Sequence, residues 1–190
     1  MKVLMILGSR NPQGQTATAA AALLEGGGLR SETSPNAVEI ERVFLPEMAV
    51  ERCRQCEDSG WGICRTEGRC VIEDDFAALV DKIREADAVA FATPVYFSDL
   101  SESMRAFLDR LRRISRHDEG QRGIEGKRAV GICVAGGGGG GAPECTVSLK
   151  KVLRTSGFDV VDMIPVRRQN LDMKVDVLRT VGAWFVSPDG

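Results

Sequence analysis

The sequence predicts an α/β fold: one domain, residues 1–190, built on a five-stranded parallel sheet with helices on both faces. Short, unbroken apolar runs of strand length alternate with longer stretches of helical periodicity. The alternation repeats five times with no internal repeat, and strand-helix-strand order of this kind builds a parallel sheet whose strands are buried on both faces. The loops after the first, third and fourth strands, GSRNPQGQT, TPVYFSDLS and GGGGGGAPE, lie where such sheets hold ligands: beyond the carboxyl ends, at the reversal of strand order.

Each element has its own signal. Residues 3–7, VLMIL, make the first strand, and Gly8 closes it. The polar loop GSRNPQGQT leads to Thr16, which opens an alanine-rich helix to Leu24, stopped by Gly26, Gly27 and Gly28. Residues 37–44 read as the second strand. A cysteine-bearing insertion at about residues 50–72 follows, too long and too polar for a simple connection. Asp74 and Asp75 start the next helix, where carboxylates cap backbone N–H groups and complement the dipole. Phe76, Leu79, Val80 and Ile83 supply its apolar face. Residues 87–92 contain the third strand, ended by Thr93-Pro94. A third helix begins near Ser101 and turns Met104, Phe107, Leu108 and Leu111 to one side. Residues 128–135 are the fourth strand, six glycines follow, and Pro143 sits in the first turn of a helix reaching about Ser156. Residues 158–164 form the fifth strand and 171–185 the last helix.

Composition narrows the function. A formal charge of −2 argues against a nucleic-acid surface, which is strongly basic. No apolar run approaches the roughly twenty residues that span a bilayer. The start, MKVLMILGSR, has an apolar run of only five residues and no small-residue cleavage site, so it reads as a strand and not a secretory signal. The expected location is cytoplasmic, where thiols stay reduced and clustered cysteines hold metal or do redox chemistry.

The loop GSRNPQGQT joins a strand to a helix N-terminus, where free N–H groups and the helix dipole favour a phosphate. Ser9 and Thr16 add hydroxyls, and Gly8 and Gly14 let the backbone approach. A Walker loop is excluded because the glycines stand one residue too far apart and Gln15 replaces its lysine; a GxGxxG fingerprint is absent too. The loop suits a single terminal phosphate, or is an ordinary turn with Thr16 as helix cap. Thr93-Pro94-Val95-Tyr96-Phe97 puts aromatics at a strand's carboxyl end in a chain only 5% aromatic; they stack on a flat ring or simply cover the core. Residues 136–141 carry no side chains, so a ligand's face can lie on the backbone. Cys133 and Cys145 read as small buried residues.

Cys53, Cys56, Cys64 and Cys70 form C-x2-C-x7-C-x5-C. Four thiolates suit a [4Fe–4S] cluster or a structural zinc. Zinc usually takes two tight CxxC pairs, and only Cys53/Cys56 is one. Free thiols or disulfides are the remaining readings. Arg52, Arg54, Arg65 and Arg69 screen an anionic cluster or are solvated loop charges. The run Arg110, Arg112, Arg113, Arg116, His117 ends the third helix, where the dipole favours cations, or else holds the extra phosphate of NADPH; the first reading is preferred. With a single histidine in the chain, no Ser-His-Asp set is assembled.

Taken together, GSRNPQGQT, CVIEDDF, TPVYFSDLSESMRAFLDR and the Gly-rich loop, in that order over residues 8–141, resemble the flavodoxin-like NADPH-dependent FMN reductases. TPVYF followed by S-x-x-M-R-x-F-x-D-R is the most telling part. The resemblance implies a doubly wound sheet of order 2-1-3-4-5 and bound FMN. Its phosphate would meet Ser9, Arg10, Asn11, Gly14, Gln15 and Thr16. The ribityl chain and ring would meet Pro94, Val95, Tyr96 and Phe97, with the ring edge near Gly136, Gly137 and Gly138. It also implies NAD(P)H as co-substrate, a small-molecule or protein electron acceptor (quinone, nitro or azo compound, metal ion), and a homodimer or homotetramer. Asp109 and Arg110 match the pattern and read as structural. The iron-sulfur flavoproteins, a subgroup, carry a compact CxxCxxC motif plus a fourth cysteine where Cys53, Cys56, Cys64 and Cys70 stand; here the third cysteine comes five residues late. That likeness implies a [4Fe–4S] cluster beside the flavin, with zinc as the alternative. A non-catalytic electron carrier and a zinc-stabilised module are the rival functions.

Overall fold

Strands β1 (Lys2–Leu7), β2 (Glu39–Phe44), β3 (Ala88–Pro94), β4 (Arg128–Ala135) and β5 (Asp159–Arg167) pair in parallel, in the order β2-β1-β3-β4-β5. The structure is a computed structural model and describes residues 1–28 and 38–187. The helices are α1 (Gln15–Gly26), α2 (Ile63–Thr66), α3 (Phe76–Glu85), α4 (Glu102–Ile114), α5 (Asp118–Gln121), α6 (Ala142–Thr155) and α7 (Leu171–Phe185).

Strand alternation sorts side chains into two cores. Leu4, Ile6, Val89 and Phe91 face α3, α4 and α6, with Phe107, Leu111 and Leu149 packed on them. Val3, Met5, Leu7 and the small Ala88, Ala90 and Ala92 face α1 and α7. Alanines on both β3 and α1 let that helix lie close to the sheet. Order reverses between β1 and β3, so the loops after β1, β3 and β4 gather at one end.

Several boundaries differ from the sequence reading for identifiable reasons. The expected start of β2 at Ala37 lies outside the described residues. Helix α1 runs through Gly26 because α7 presses on it: a Cβ there would stand 1.8 Å from the Arg179 carbonyl oxygen, and one on Gly182 1.8 Å from that of Leu23. Strand β5 continues past Ile164 through Pro165, since an edge strand does not need a proline N–H on its outer side. Asp75 occupies the cap position of α3 without capping it; its carboxylate accepts the Ala49 N–H at 2.7 Å, and Asp74 Oδ1 accepts the Phe76 N–H at 3.1 Å.

The reciprocal glycine contact makes a stability prediction. Alanine normally favours a helix interior over glycine by roughly 0.5–1 kcal/mol. In Gly182→Ala the added methyl instead forces α1 and α7 apart, and urea unfolding should show a net loss of about 1–3 kcal/mol. A variant as stable as the parent would disprove the close approach.

Candidate functional site

The β1–α1 loop is tied to itself. Ser9 Oγ accepts the Asn11 N–H at 3.2 Å, Asn11 Oδ1 accepts the Gln13 N–H at 2.9 Å, and Gly14 N–H donates to the Asn11 carbonyl at 3.1 Å. Gly14, not Thr16, is the N-cap of α1 and contributes no side-chain cap, so the first-turn N–H groups have no helical partner. Thr16 lies inside the first turn, buried. Gly8 fixes the loop against β3 and α4: a Cβ on it would stand 2.4 Å from Ser101 Oγ, and Ser103 Oγ donates to its carbonyl at 3.3 Å. Buried Thr93 and Ser101 complete this lock, with the Ser101 N–H on Thr93 Oγ1 at 3.1 Å.

After β3, the Val95 N–H still pairs with the Val134 carbonyl at 2.9 Å. Tyr96 and Asp99 then bond in both directions, at 2.9 and 3.0 Å, across a tight turn whose central residues, Phe97 (φ 50) and Ser98 (φ 64), are both left-handed. That turn type normally takes glycine or asparagine. It holds Phe97 fully exposed at its tip and turns Tyr96 into the cleft. Burial pushes the Asp99 carboxyl up, but the Leu100 N–H and Arg105 outweigh it and hold the carboxyl below the usual range.

The Gly-rich loop is braced at both ends. The Gly139 N–H donates to the Gly136 carbonyl at 2.8 Å, and Gln169 Nε2 donates to the Gly137 carbonyl at 3.1 Å. Gly141, the left-handed cap of α6 (φ 82), has Ser98 Oγ 2.6 Å from where a Cβ would be. These loops enclose a cleft of about 620 Å³, in the range of small-ligand sites. Of the sequence-derived residues, Ser9, Asn11, Gly14, Gln15, Thr16, Pro94, Val95, Tyr96 and Gly136 to Gly138 line it. Arg10 lines an adjoining cleft with Pro46, Glu47, Tyr96 and Glu102, and Phe97 lines neither. Sequence reasoning missed Gln169, which a short 3₁₀ turn, Arg168–Asn170, brings to the loop from beyond β5. One glutamine in a polar run gives no signal of that role.

Cys53, Cys56, Cys64 and Cys70, each half-buried, line a single separate cavity together with Arg54, Arg110 and Arg113. Helix α2 carries Cys64, and its cap Gly62 would put a Cβ 3.0 Å from that of Cys56. Gly68 docks the segment on α5, where a Cβ would stand 2.3 Å from the Gly120 nitrogen. Among the described residues no three His, Cys, Asp or Glu side chains are gathered at the spacing of a single metal ion; the cysteines line one cavity. Trp61 is held by Arg113, whose guanidinium lies 4.6 Å from its ring and donates to the Gly60 carbonyl at 2.6 Å. Cys133 and Cys145 are fully buried, and their mutual hydrogen bond, then burial, push the Cys133 thiol far up.

The cysteine segment is clamped at both ends by Arg110. Its Nη1 donates to the Glu51 carbonyl at 3.1 Å and to Asp74 Oδ2 at 2.6 Å; its Nη2 donates to the Ile72 carbonyl at 3.4 Å and to Asp74 Oδ1 at 2.9 Å. The side chains are 1% and 6% exposed, so the pair is a desolvated, bidentate ion pair. Burial raises the Asp74 carboxyl, but Arg110 and the Glu51 and Phe76 N–H groups override it and hold it below the usual range.

The sequence profile of the NADPH-dependent FMN reductases matches residues 1–172. An iron-sulfur flavoprotein of Methanocaldococcus jannaschii is 29% identical over 137 residues, which is 72% of this chain and 65% of that protein. Less than two thirds of the length of this and the next curated relatives is matched. Among solved structures, a flavodoxin from the domain Archaea superposes with a TM-score of 0.60 at 15% identity, covering 98% of this chain and 96% of that one. An NAD(P)H:quinone oxidoreductase from Methanothermobacter marburgensis gives 0.66 at 20% identity, covering 96% and 94%. These structures share the fold.

Breaking the buried pair predicts both a loss and a pH dependence. Asp74→Asn strands a buried guanidinium and should cost about 3–5 kcal/mol at neutral pH. Between the depressed folded value of Asp74 and about 3.9, its value in an unfolded chain, the unfolded state binds more protons, so stability rises with pH there. The pair's contribution is therefore complete above that window and lost as pH falls through it. Urea unfolding across acid pH should show parent and variant converging below about pH 4; parallel curves would exclude the assignment.

Proposed function

The chain belongs to the NADPH-dependent FMN reductase family, and from that premise we propose that it is an FMN-dependent NAD(P)H oxidoreductase carrying an iron-sulfur cluster, which passes electrons to a quinone, a nitro or azo compound, a metal ion or a protein in the cytoplasm. The observation that carries the reading is the cleft at the ends of β1, β3 and β4: an anion nest at one end, a side-chain-free floor at the other, and Tyr96 between.

The residues fit FMN by donor chemistry. Unpartnered first-turn N–H groups and the Ser9 and Thr16 hydroxyls would hold the phosphate, in a lining without a carboxylate among the described residues. Asn11 and Gln15 complete that wall, and the internal bonds of the loop keep its N–H groups aimed without reorganisation. Gly136, Gly137 and Gly138 allow a flat ring to lie on backbone, and Gln169 ties that loop through the Gly137 carbonyl. Bound flavin supplies hydride acceptance from NAD(P)H and electron release. The protein's part is binding and orientation: His117 is spent capping α5, where its Nδ1 accepts the Glu119 N–H at 3.2 Å.

By donor chemistry the cysteine cavity suits a tetrathiolate-bound anionic group, since four thiols and three guanidinium groups line it; at about 20 Å³ as it stands, its sulfurs must move apart to admit a cluster. An iron-sulfur cluster there supplies one-electron exchange. Zinc is the competing occupant and is distinguished by metal analysis. An electron carrier without catalysis would share the spectrum but not consume NAD(P)H steadily with small acceptors.

Thr16→Asp places a carboxylate in the anion nest. FMN affinity, read by flavin fluorescence quenching, should fall at least a hundredfold, about 2.7 kcal/mol, with the far-ultraviolet circular dichroism unchanged; undiminished affinity would move the phosphate elsewhere. Protein purified without oxygen should be brown and hold about four irons per chain, as a cubane cluster ligated by four cysteines does. Cys64→Ala should lose that iron. Stoichiometric zinc with no iron in the parent would rule out the cluster.

A further inference from the structure

We propose that Arg110 donates a hydrogen bond through its Nε–H to a sulfur of the group bound by Cys53, Cys56, Cys64 and Cys70, and so sets that group's reduction potential. This rests on the iron-sulfur reading above and assigns a role to a residue on a helix outside the cysteine segment.

A buried guanidinium has five N–H donors in a fixed fork, and each one left without an acceptor carries an uncompensated desolvation penalty. The Nη atoms of Arg110 are engaged by two backbone carbonyls, of Glu51 and Ile72, and both oxygens of Asp74. Its Nε is buried and has no partner among the described residues. One side of the guanidinium stacks on Phe76, 4.1 Å from the ring centroid. Arg110 and Cys70 both line the cysteine cavity, together with Cys53, Cys56 and Cys64. The orphaned donor and the sulfur-lined cavity thus adjoin. Arg54 and Arg113 line the same cavity but are engaged, Arg54 with Glu51 and Arg113 with the Gly60 carbonyl and Trp61.

A purely structural clamp would need only the Nη atoms and the charge. A donor to sulfur does more: it stabilises the more negative, reduced state and raises the reduction potential. Sulfur, whether thiolate or inorganic sulfide, is the acceptor class this cavity offers.

The test uses whole protein purified without oxygen. Reduced wild type labelled with nitrogen-15 arginine should show a nitrogen-15 hyperfine coupling in pulsed EPR. Arg110→Lys keeps a cation but removes Nε–H; it should retain iron, lose the coupling, and shift the midpoint of an EPR-monitored redox titration to more negative potential. Iron-loaded wild type with no arginine coupling overturns this assignment and leaves the cluster reading standing, as does an iron-loaded Arg110→Lys with an unshifted midpoint. Wild type without iron overturns both. Should Arg110→Lys fail to fold, the coupling must persist in Arg54→Lys and Arg113→Lys, whose arginines line the same cavity; its loss in either overturns the assignment to Arg110.

Discussion

The bidentate pair of Arg110 and Asp74 joins the parts of the molecule that sequence alone keeps separate. Asp74 lies where the cysteine segment runs into α3, Arg110 sits on α4, and the carbonyls of Glu51 and Ile72 come from the two ends of that segment. One desolvated side chain thereby closes a polar loop onto the sheet's helical layer. Burial makes the two partners depend on each other: desolvation offsets much of their attraction, but removing either one strands the other's charge and hydrogen-bonding groups where no solvent reaches. Its placement also brings a cation to the cavity that the four cysteines share.

The cleft at the ends of β1, β3 and β4 follows a different logic. It is built largely from backbone and small side chains, the surface that the proposed flavin would need: access for a flat ring and N–H donors for a phosphate. Such loops lack packing of their own and are held from behind. Thr93, Ser101 and Ser103 pin the first loop to the third strand, and Gln169 and Gly141 pin the Gly-rich loop. The cleft is thereby open in front and rigid at its back. The left-handed pair Phe97 and Ser98 belongs to this arrangement: it bends the chain sharply so that Tyr96 faces the cleft while Phe97 stands in solvent.

Periodicity made the fold legible. Strand β4 and helix α7 have the limits that their apolar patterns indicate, because a strand buried on both faces and a helix with a buried stripe must write their environment into local sequence. The elements that went unseen are short: α2, α5 and the 3₁₀ turns carry too few residues for any period to register. Aspartates 74 and 75 were legible as a helix start, but their carboxylates answer to distant partners as well, the Ala49 N–H and Arg110.

What the sequence by itself determined, then, is the parallel sheet, the end of it where the cleft opens, and the membership of most of the cleft lining, since those depend on residue types in fixed order along the chain. Tertiary structure decided which of those residues face inward. It put Arg10 in the adjoining cleft and Phe97 at a turn tip, recruited Gln169 from beyond the last strand, and brought Cys53, Cys56, Cys64 and Cys70 to the lining of one cavity. It also turned Arg110 from one charge in a basic run into a buried clamp, through an ion pair spanning 36 positions. Contacts across such distances depend on how elements pack, and packing leaves no periodic trace in either partner's neighbourhood.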